Sequence, residues 1–372
     1  MFSEYKHIFK LINNEDIIEK ENDIHLNQEL IVNKIKRLGL SNFLYKKIKK
    51  NNLFTNEIQF FKKSYIRVYF DNEKKKKIYS EISDILYTEK IEFIPLKGFY
   101  IIEHLYKDYG QRYISDIDIL IKEDQLDRLT SLMIANHYSI KEEYYKSEYI
   151  KNIIGSPHPI TFIKNNVSIE IHTHLHSKIS TFKINIQDYW KRAINENLIC
   201  IPTKQLCKTD FLQYLCIHLY KHVMIEKSIS LKHFIDIYKF LNIYKNEVNW
   251  NQLTENNKLY NCTNEVNGIL YLCYKYFNCK IGYDINFSDK KMLDFDVTFI
   301  KLLKHDGKIK TSNISTRIKE IKNISGTFRR IKYLFDSTFP DKKFLAFKYN
   351  CNENQSYFTL FNYRLSKLIL KK

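Results

Sequence analysis

Ile114-Ser115-Asp116-Ile117-Asp118-Ile119-Leu120-Ile121 alternates and is rich in β-branched residues, which predicts a strand. Strand side chains alternate sides, so Asp116 and Asp118 point one way while Ile117, Ile119 and Ile121 point the other. Two like charges held side by side repel, and a cation between them resolves the conflict. Oxygen ligands from one or two carboxylates, completed by substrate phosphates, are the usual way of holding Mg²⁺. The competing reading is an edge strand carrying two solvated acids, and the neighbouring residues decide between them.

Upstream, the run Ile91 to Gly98 predicts a short strand through Leu96 and a tight turn at Lys97-Gly98. An amphipathic helix follows, with apolar positions at Ile101, Ile102, Leu105 and Tyr106. Glycine at a strand-to-helix junction lets the backbone approach a ligand, and a helix start offers N–H groups to phosphate. Lys97 adds a point charge at the same spot. Nearly all the basic residues here are lysines, so Arg112, just before the acidic strand, stands out. Its guanidinium has three readings: a fork on a phosphate, a buttress for a carboxylate, or a surface ion pair with Asp108 or Asp116. Farther on, Asn166 to His176 alternates again and puts Glu170, His172, His174 and His176 on one face. Glu170 there suits a third metal carboxylate or a general base on an attacking hydroxyl.

Leu96-Lys97-Gly98, Tyr106, Arg112, Asp116-Ile117-Asp118-Ile119-Leu120-Ile121 and Ile169-Glu170-Ile171-His172, in that order, resemble the nucleotidyltransferases of the DNA polymerase beta-like superfamily. The closest branch is the bacterial group called uncharacterised nucleotidyltransferase, and the likeness is strongest over residues 90–176. It continues more loosely in Leu215 to His222, in Leu231 to Asp236, and in Phe339-Pro340 with Tyr363-Arg364-Leu365. The resemblance implies that Asp116 and Asp118 bind two Mg²⁺ ions (or Mn²⁺) and that Glu170 is the third carboxylate. Gly98 would mark the turn that cradles a nucleoside triphosphate, and Phe99 departs from the small residue that the wider superfamily has after its glycine. The nucleotide-binding set is then Lys97, Gly98, Arg112, His172, Lys221 and His222. Physically, nucleotidyl transfer needs an acceptor oxygen to attack the α-phosphorus in line with departing pyrophosphate, and two ions roughly 3.5–4 Å apart clamp both oxygens. The expected partners are an NTP and an unidentified acceptor: small molecule, peptide or RNA.

The 372 residues exceed one typical domain, and 44% apolar content with 28 Tyr and 25 Phe can fill a core. The expected class is α+β, a small mixed-sheet nucleotidyltransferase core (90–203) between a helical N-terminal region (1–89) and a helical C-terminal region (204–372). Within it, Gly39 is a helix stop, Ser41 a cap, and Gly155-Ser156-Pro157-His158-Pro159 a loop at the cleft rim. No stretch approaches ~20 uninterrupted apolar residues, and the start of the chain lacks an apolar signal core, so a cytoplasmic protein without membrane contact is expected. Seven cysteines without C-x-x-C spacing read as reduced thiols. The net charge of +18 is spread along the chain, so it attracts polyanions without defining a nucleic-acid platform; Lys74 to Lys77 reads as a solvated helix face.

Two rival chemistries remain. One is a non-catalytic nucleotide- or RNA-binding regulatory protein on the same fold. The other is a zinc hydrolase on His172, His174 and His176, although same-face strand residues stand about 6–7 Å apart, awkward for one ion. His218 and His222, at i and i+4, share a helix face, read as a paired metal site or, preferably, as a phosphate contact. Lys232, His233 and Asp236 lie on one helical turn within reach of the cleft.

Overall fold

A computed structural model describes residues 3–13, 28–140, 159–176, 180–285, 290–309, 318, 321–322, 324–349, 351–352 and 354–369. The Gly155 to His158 part of the expected rim loop lies outside the described residues. Helices α1 (Ser3–Asn13), α2 (Gln28–Arg37), α3 (Ser41–Lys50) and α4 (Ile58–Thr88) come first. Gly39 ends α2 with φ +67°, as a glycine stop does, but Ser41 is the first residue of α3 and makes no capping bond. Lys74 to Lys77 lies in α4, and four consecutive helical positions span most of the circumference. Lys75 therefore faces inward, pairs with Asp71 at 2.7 Å and stacks over the Tyr113 ring, so the run is not one solvated face.

The central sheet has the order β1-β2-β5-β4-β3, from β1 (Phe93–Pro95), β2 (Ile117–Ile121), β3 (Ser139–Ile140), β4 (Ile160–Lys164) and β5 (Val167–His172). Only β2 and β5 pair in parallel; the other neighbours are antiparallel. Between β1 and β2 the expected amphipathic helix is a single α-turn, α5 (Phe99–Ile101), that widens into a π-turn over Ile102–Tyr106. α6 (Leu126–Ala135), preceded by a 3-10 turn over Glu123–Gln125, connects β2 to β3. After α7 (Ile186–Arg192) comes a hairpin, β6 (Ile194–Leu198) and β7 (Ile201–Gln205). Its two turn residues, Ile199 and Cys200, both have positive φ (53° and 65°), a conformation that tight hairpin turns usually give to Asn or Gly. That is why the hairpin carries no turn signal in the sequence.

The chain then returns to helix: α8 (Lys208–Tyr220), prolonged by a π-turn over Lys221–Glu226, α9 (Leu231–Tyr244), α10 (Trp250–Leu259), α11 (Thr263–Phe277) and α12 (Lys290–Lys304). The Phe339-Pro340-Asp341 break falls between α13 (Thr327–Thr338) and α14 (Lys342–Tyr349), before α15 (Tyr357–Ile369). The mixed sheet between helical flanks is the α+β arrangement expected. One contiguous apolar cluster runs from Tyr5 to Leu303 and packs the helices through α12 with the sheet, while Leu345, Ala346 and Leu360 of α14 and α15 form a second, small cluster. No helix is long and apolar enough to cross a membrane among the described residues.

Candidate active site

All five residues of β2 are buried, so the strand is a core element whose one charged side chain, Asp118, must be neutralised. The parallel register sets Asp118 opposite Glu170 and Leu120 opposite His172. Register partners project to the same side of a sheet, so Asp118, Glu170 and His172 converge. Their ligating atoms all lie within 4.8 Å of one another. His172 Nε2 bridges the two acids, 3.0 Å from Asp118 Oδ1 and 3.6 Å from Glu170 Oε2. Lys97 Nζ approaches the other oxygen of Asp118 at 3.3 Å. Asp116 precedes β2 and stands outside that tight group, with Ser115 Oγ donating to its Oδ1 at 2.7 Å.

The electrostatics follow from this packing. Burial alone would raise the Asp118 pKa, but Lys97 and His172 outweigh it and hold the carboxyl well below its ordinary value. Burial works against the Lys97 charge too, yet Asp118, Tyr214 and Asp116 raise its pKa. Burial likewise opposes a charged His172, and its hydrogen bonds to the Asp118 and Glu170 carboxylates reverse the sign, so its pKa is raised. Asp116 goes the other way: burial first, then the Asp118 charge, raise its carboxyl, with Glu170 adding to the same repulsion.

The turn beside the acids is built by Gly98, whose φ of +52° and ψ of −105° suit glycine. Leu96 N–H donates to Asp118 O at 3.1 Å, which extends the β1–β2 pairing up to Lys97. A Cβ on Gly98 would meet Ile114 Cγ2 at 3.5 Å and Asp116 O at 3.8 Å, so the turn lies directly against the acidic segment. At the start of the helix after it, Tyr100 and Ile102 N–H donate to Lys97 O and Gly98 O, which spends two of the donors there.

Of the readings open to Arg112, the structure takes the buttress. Its Nε and Nη2 donate to Asp236 Oδ1 and Oδ2, both at 2.8 Å, and Tyr106 Oη donates to Oδ1 at 2.8 Å. A surface pair with Asp108 or Asp116 is thereby excluded, since Arg112 is buried and its fork is spent on α9. A second clamp was missed in the sequence. Asn72 on α4 donates from Nδ2 to Tyr109 O and Arg112 O, both at 2.7 Å, and accepts from Ile114 N–H at 3.1 Å. Tyr214 on α8 was missed as well; it stands close enough to Lys97 to help raise the Lys97 pKa. Both partners are remote in sequence, and an Asn or Tyr in a helix carries no signal of its target.

The three strand histidines do not converge. β5 ends at His172, and His174 Nε2 sits 3.9 Å from Glu123 Oε2. His176 packs against the rings of Phe182 and Tyr214, and burial pushes its pKa down to about 3. The zinc-hydrolase site on this strand is therefore not formed. Instead His218, His222 and His233 gather, with ligating atoms within 4.8 Å of one another. His222 Nδ1 lies 2.6 Å from Glu226 Oε2, and the largely exposed Lys221 pairs with the same carboxylate at 3.6 Å.

Residues 25–278 match the family described as uncharacterised nucleotidyltransferase. No curated protein matches the chain. Among solved structures it is similar to an antigenic nucleotidyltransferase-like protein from Paracoccidioides brasiliensis, with 16% identity, 64% of this chain and 94% of that chain covered, and a TM-score of 0.34.

Proposed function

We propose that this chain, which belongs to the uncharacterised nucleotidyltransferase family, transfers an NMP from an NTP to an acceptor hydroxyl or phosphate with divalent-metal assistance and release of pyrophosphate. The observation that carries the reading is Asp118 facing Glu170 across the parallel β2–β5 register, with Lys97 beside them.

The donor set fits a hard divalent cation. Carboxylate oxygens of Asp118 and Glu170 close together, with Asp116 electrostatically coupled to both, match the oxygen ligands that Mg²⁺ or Mn²⁺ takes. Asp116, Asp118 and Glu170 would hold the ions. When bound, such ions neutralise phosphate charge and favour in-line displacement at the α-phosphorus. The protein's own residues do the rest. Lys97, kept cationic by the acids around it, supplies a charge at the Gly98 turn for the triphosphate. His172 Nε2 sits between Asp118 and Glu170 and positions both carboxylates. Glu170 is the more open of the two facing carboxylates, at 30% exposure against 4%, and accepts the acceptor proton. The acceptor oxygen then forms the bond to the α-phosphorus as the bond to pyrophosphate breaks. A cavity lined by His174, His176, Phe182, Lys183 and Arg329 opens beyond β5 and suits the acceptor.

The test offers the four NTPs with Mg²⁺ to a panel of metabolites, peptides and RNA, reading pyrophosphate and product mass. Product formation lost in Asp118→Asn supports transfer. NTP binding without pyrophosphate across the panel favours the non-catalytic alternative.

A further inference from the structure

We infer that His218, His222 and His233 form a binding site for one divalent transition-metal ion of the zinc class, distinct from the carboxylate site. The inference does not depend on the proposed reaction.

Three elements deliver the ligands. His218 ends α8, His222 lies in the π-turn that continues it, and His233 lies in the first turn of α9. Single π-turns within helices recur at functional sites because they re-aim side chains. The two Nε2 atoms of His218 and His222 stand 3.1 Å apart. Zn–N bonds of 2.0–2.1 Å in a tetrahedron imply an N···N edge of about 3.3 Å, so this pair already has the required spacing. His233 completes a triangle, its ring centroid 5.5 Å from that of His218 and 5.6 Å from that of His222.

The outer contacts fit as well. A ligating histidine characteristically donates its other N–H to a carboxylate, which fixes the tautomer. Glu226 does this for His222 Nδ1 at 2.6 Å, leaving the Nε2 lone pair turned toward His218. Asp236 Oδ2 lies 3.8 Å from His233 Nδ1. The cations nearby are mostly compensated: Arg112 by Asp236, Lys97 by Asp118, Lys221 by Glu226. Lys232 remains, with its Nζ set over the Tyr113 ring, 5.8 Å from the centroid.

Two competing explanations account for less. A hydrogen bond between His218 and His222 satisfies two rings but does not call for the third. A phosphate contact needs each ring to donate to the anion, whereas the Nε2 atoms of His218 and His222 face one another at 3.1 Å, so both cannot carry a proton there. Imidazole nitrogens select zinc-class ions where carboxylates select Mg²⁺, so the two clusters would sort metals by chemistry. Three protein ligands also leave a fourth position for water or substrate.

The experiment uses the full chain without a polyhistidine tag, stripped by chelator and titrated with Co²⁺, reading its visible absorption and displacement by Zn²⁺. One equivalent with the intense absorption of low-coordinate Co²⁺ is expected. It should persist in the Asp118→Asn/Glu170→Gln double variant, whatever that variant does to NMP transfer. His222→Ala should abolish it, and Glu226→Gln should weaken binding about 10–100-fold. His222 is the more exposed ligand, so its variant decides if His233→Asn misfolds. No absorption in wild type, absorption retained in folded His222→Ala, or binding of inorganic triphosphate in place of Co²⁺ at these histidines would overturn the inference.

Discussion

Replacing Asp236 with Leu should strip the buried guanidinium of Arg112 of its counter-charge, because the side chains are 1% and 4% exposed and solvent cannot substitute. At the observed 2.8 Å, the Coulomb attraction at an effective dielectric of 20 is about 6 kcal/mol, opposed by the desolvation of both groups. Removing one partner of such a pair costs about 3–5 kcal/mol, and Tyr106, whose hydroxyl donates to the same carboxylate, loses its acceptor as well. The cost should appear as a lower urea midpoint for Asp236→Leu. Arg112→Met alone should cost a comparable amount, since it leaves Asp236 buried and unpaired. The triple variant Tyr106→Phe/Arg112→Met/Asp236→Leu should recover most of the loss, because an apolar cluster of similar volume replaces the pair. A single-variant cost below about 1 kcal/mol, or a triple variant as unstable as the summed singles, would refute the idea that this pair clamps α9 to the acidic segment.

Lys97→Met should weaken NTP binding about 10–100-fold, the worth of one charge-assisted hydrogen bond, while divalent-ion affinity rises because Asp118 loses a competing cation; calorimetry with each ligand separately checks both signs. Gly98→Ala has room for its methyl group but not the backbone conformation, so a stability loss of about 1–3 kcal/mol is expected; an unchanged melting temperature would contradict it. His176 is half-buried with its Nε2 shielded from solvent, and its pKa near 3 against 6.5 when unfolded means that the unfolded chain binds the proton first as pH falls. Stability is thus full above pH 6.5 and declines below it, by about 2 kcal/mol at pH 5 relative to His176→Phe, which urea midpoints at several pH values measure.

The acidic strand and the Glu170 strand were legible because each alternates cleanly, and alternation is a local property. That Glu170 joins the aspartates was implied only by the ordered resemblance, and the parallel pairing that sets it opposite Asp118 had no signal, since register is a tertiary fact. Arg112 marked itself by composition, yet its partner stands 124 residues later, and no local pattern connects the two. The hairpin at Ile199 and Cys200 escaped because both take a left-handed conformation that their types rarely adopt, closed by the Leu198–Ile201 pair of the β6–β7 ladder. The histidine triangle was half visible: His218 and His222 share a helical face by spacing, whereas His233 joins only through the folding back of α9.

The most direct measurement is pyrophosphate release from an NTP, in Mg²⁺ with a competent acceptor, by wild type and by Asp118→Asn of matched folded content. The account predicts steady release by wild type and a loss of at least about 100-fold in the variant. Equal rates in the two proteins would contradict it.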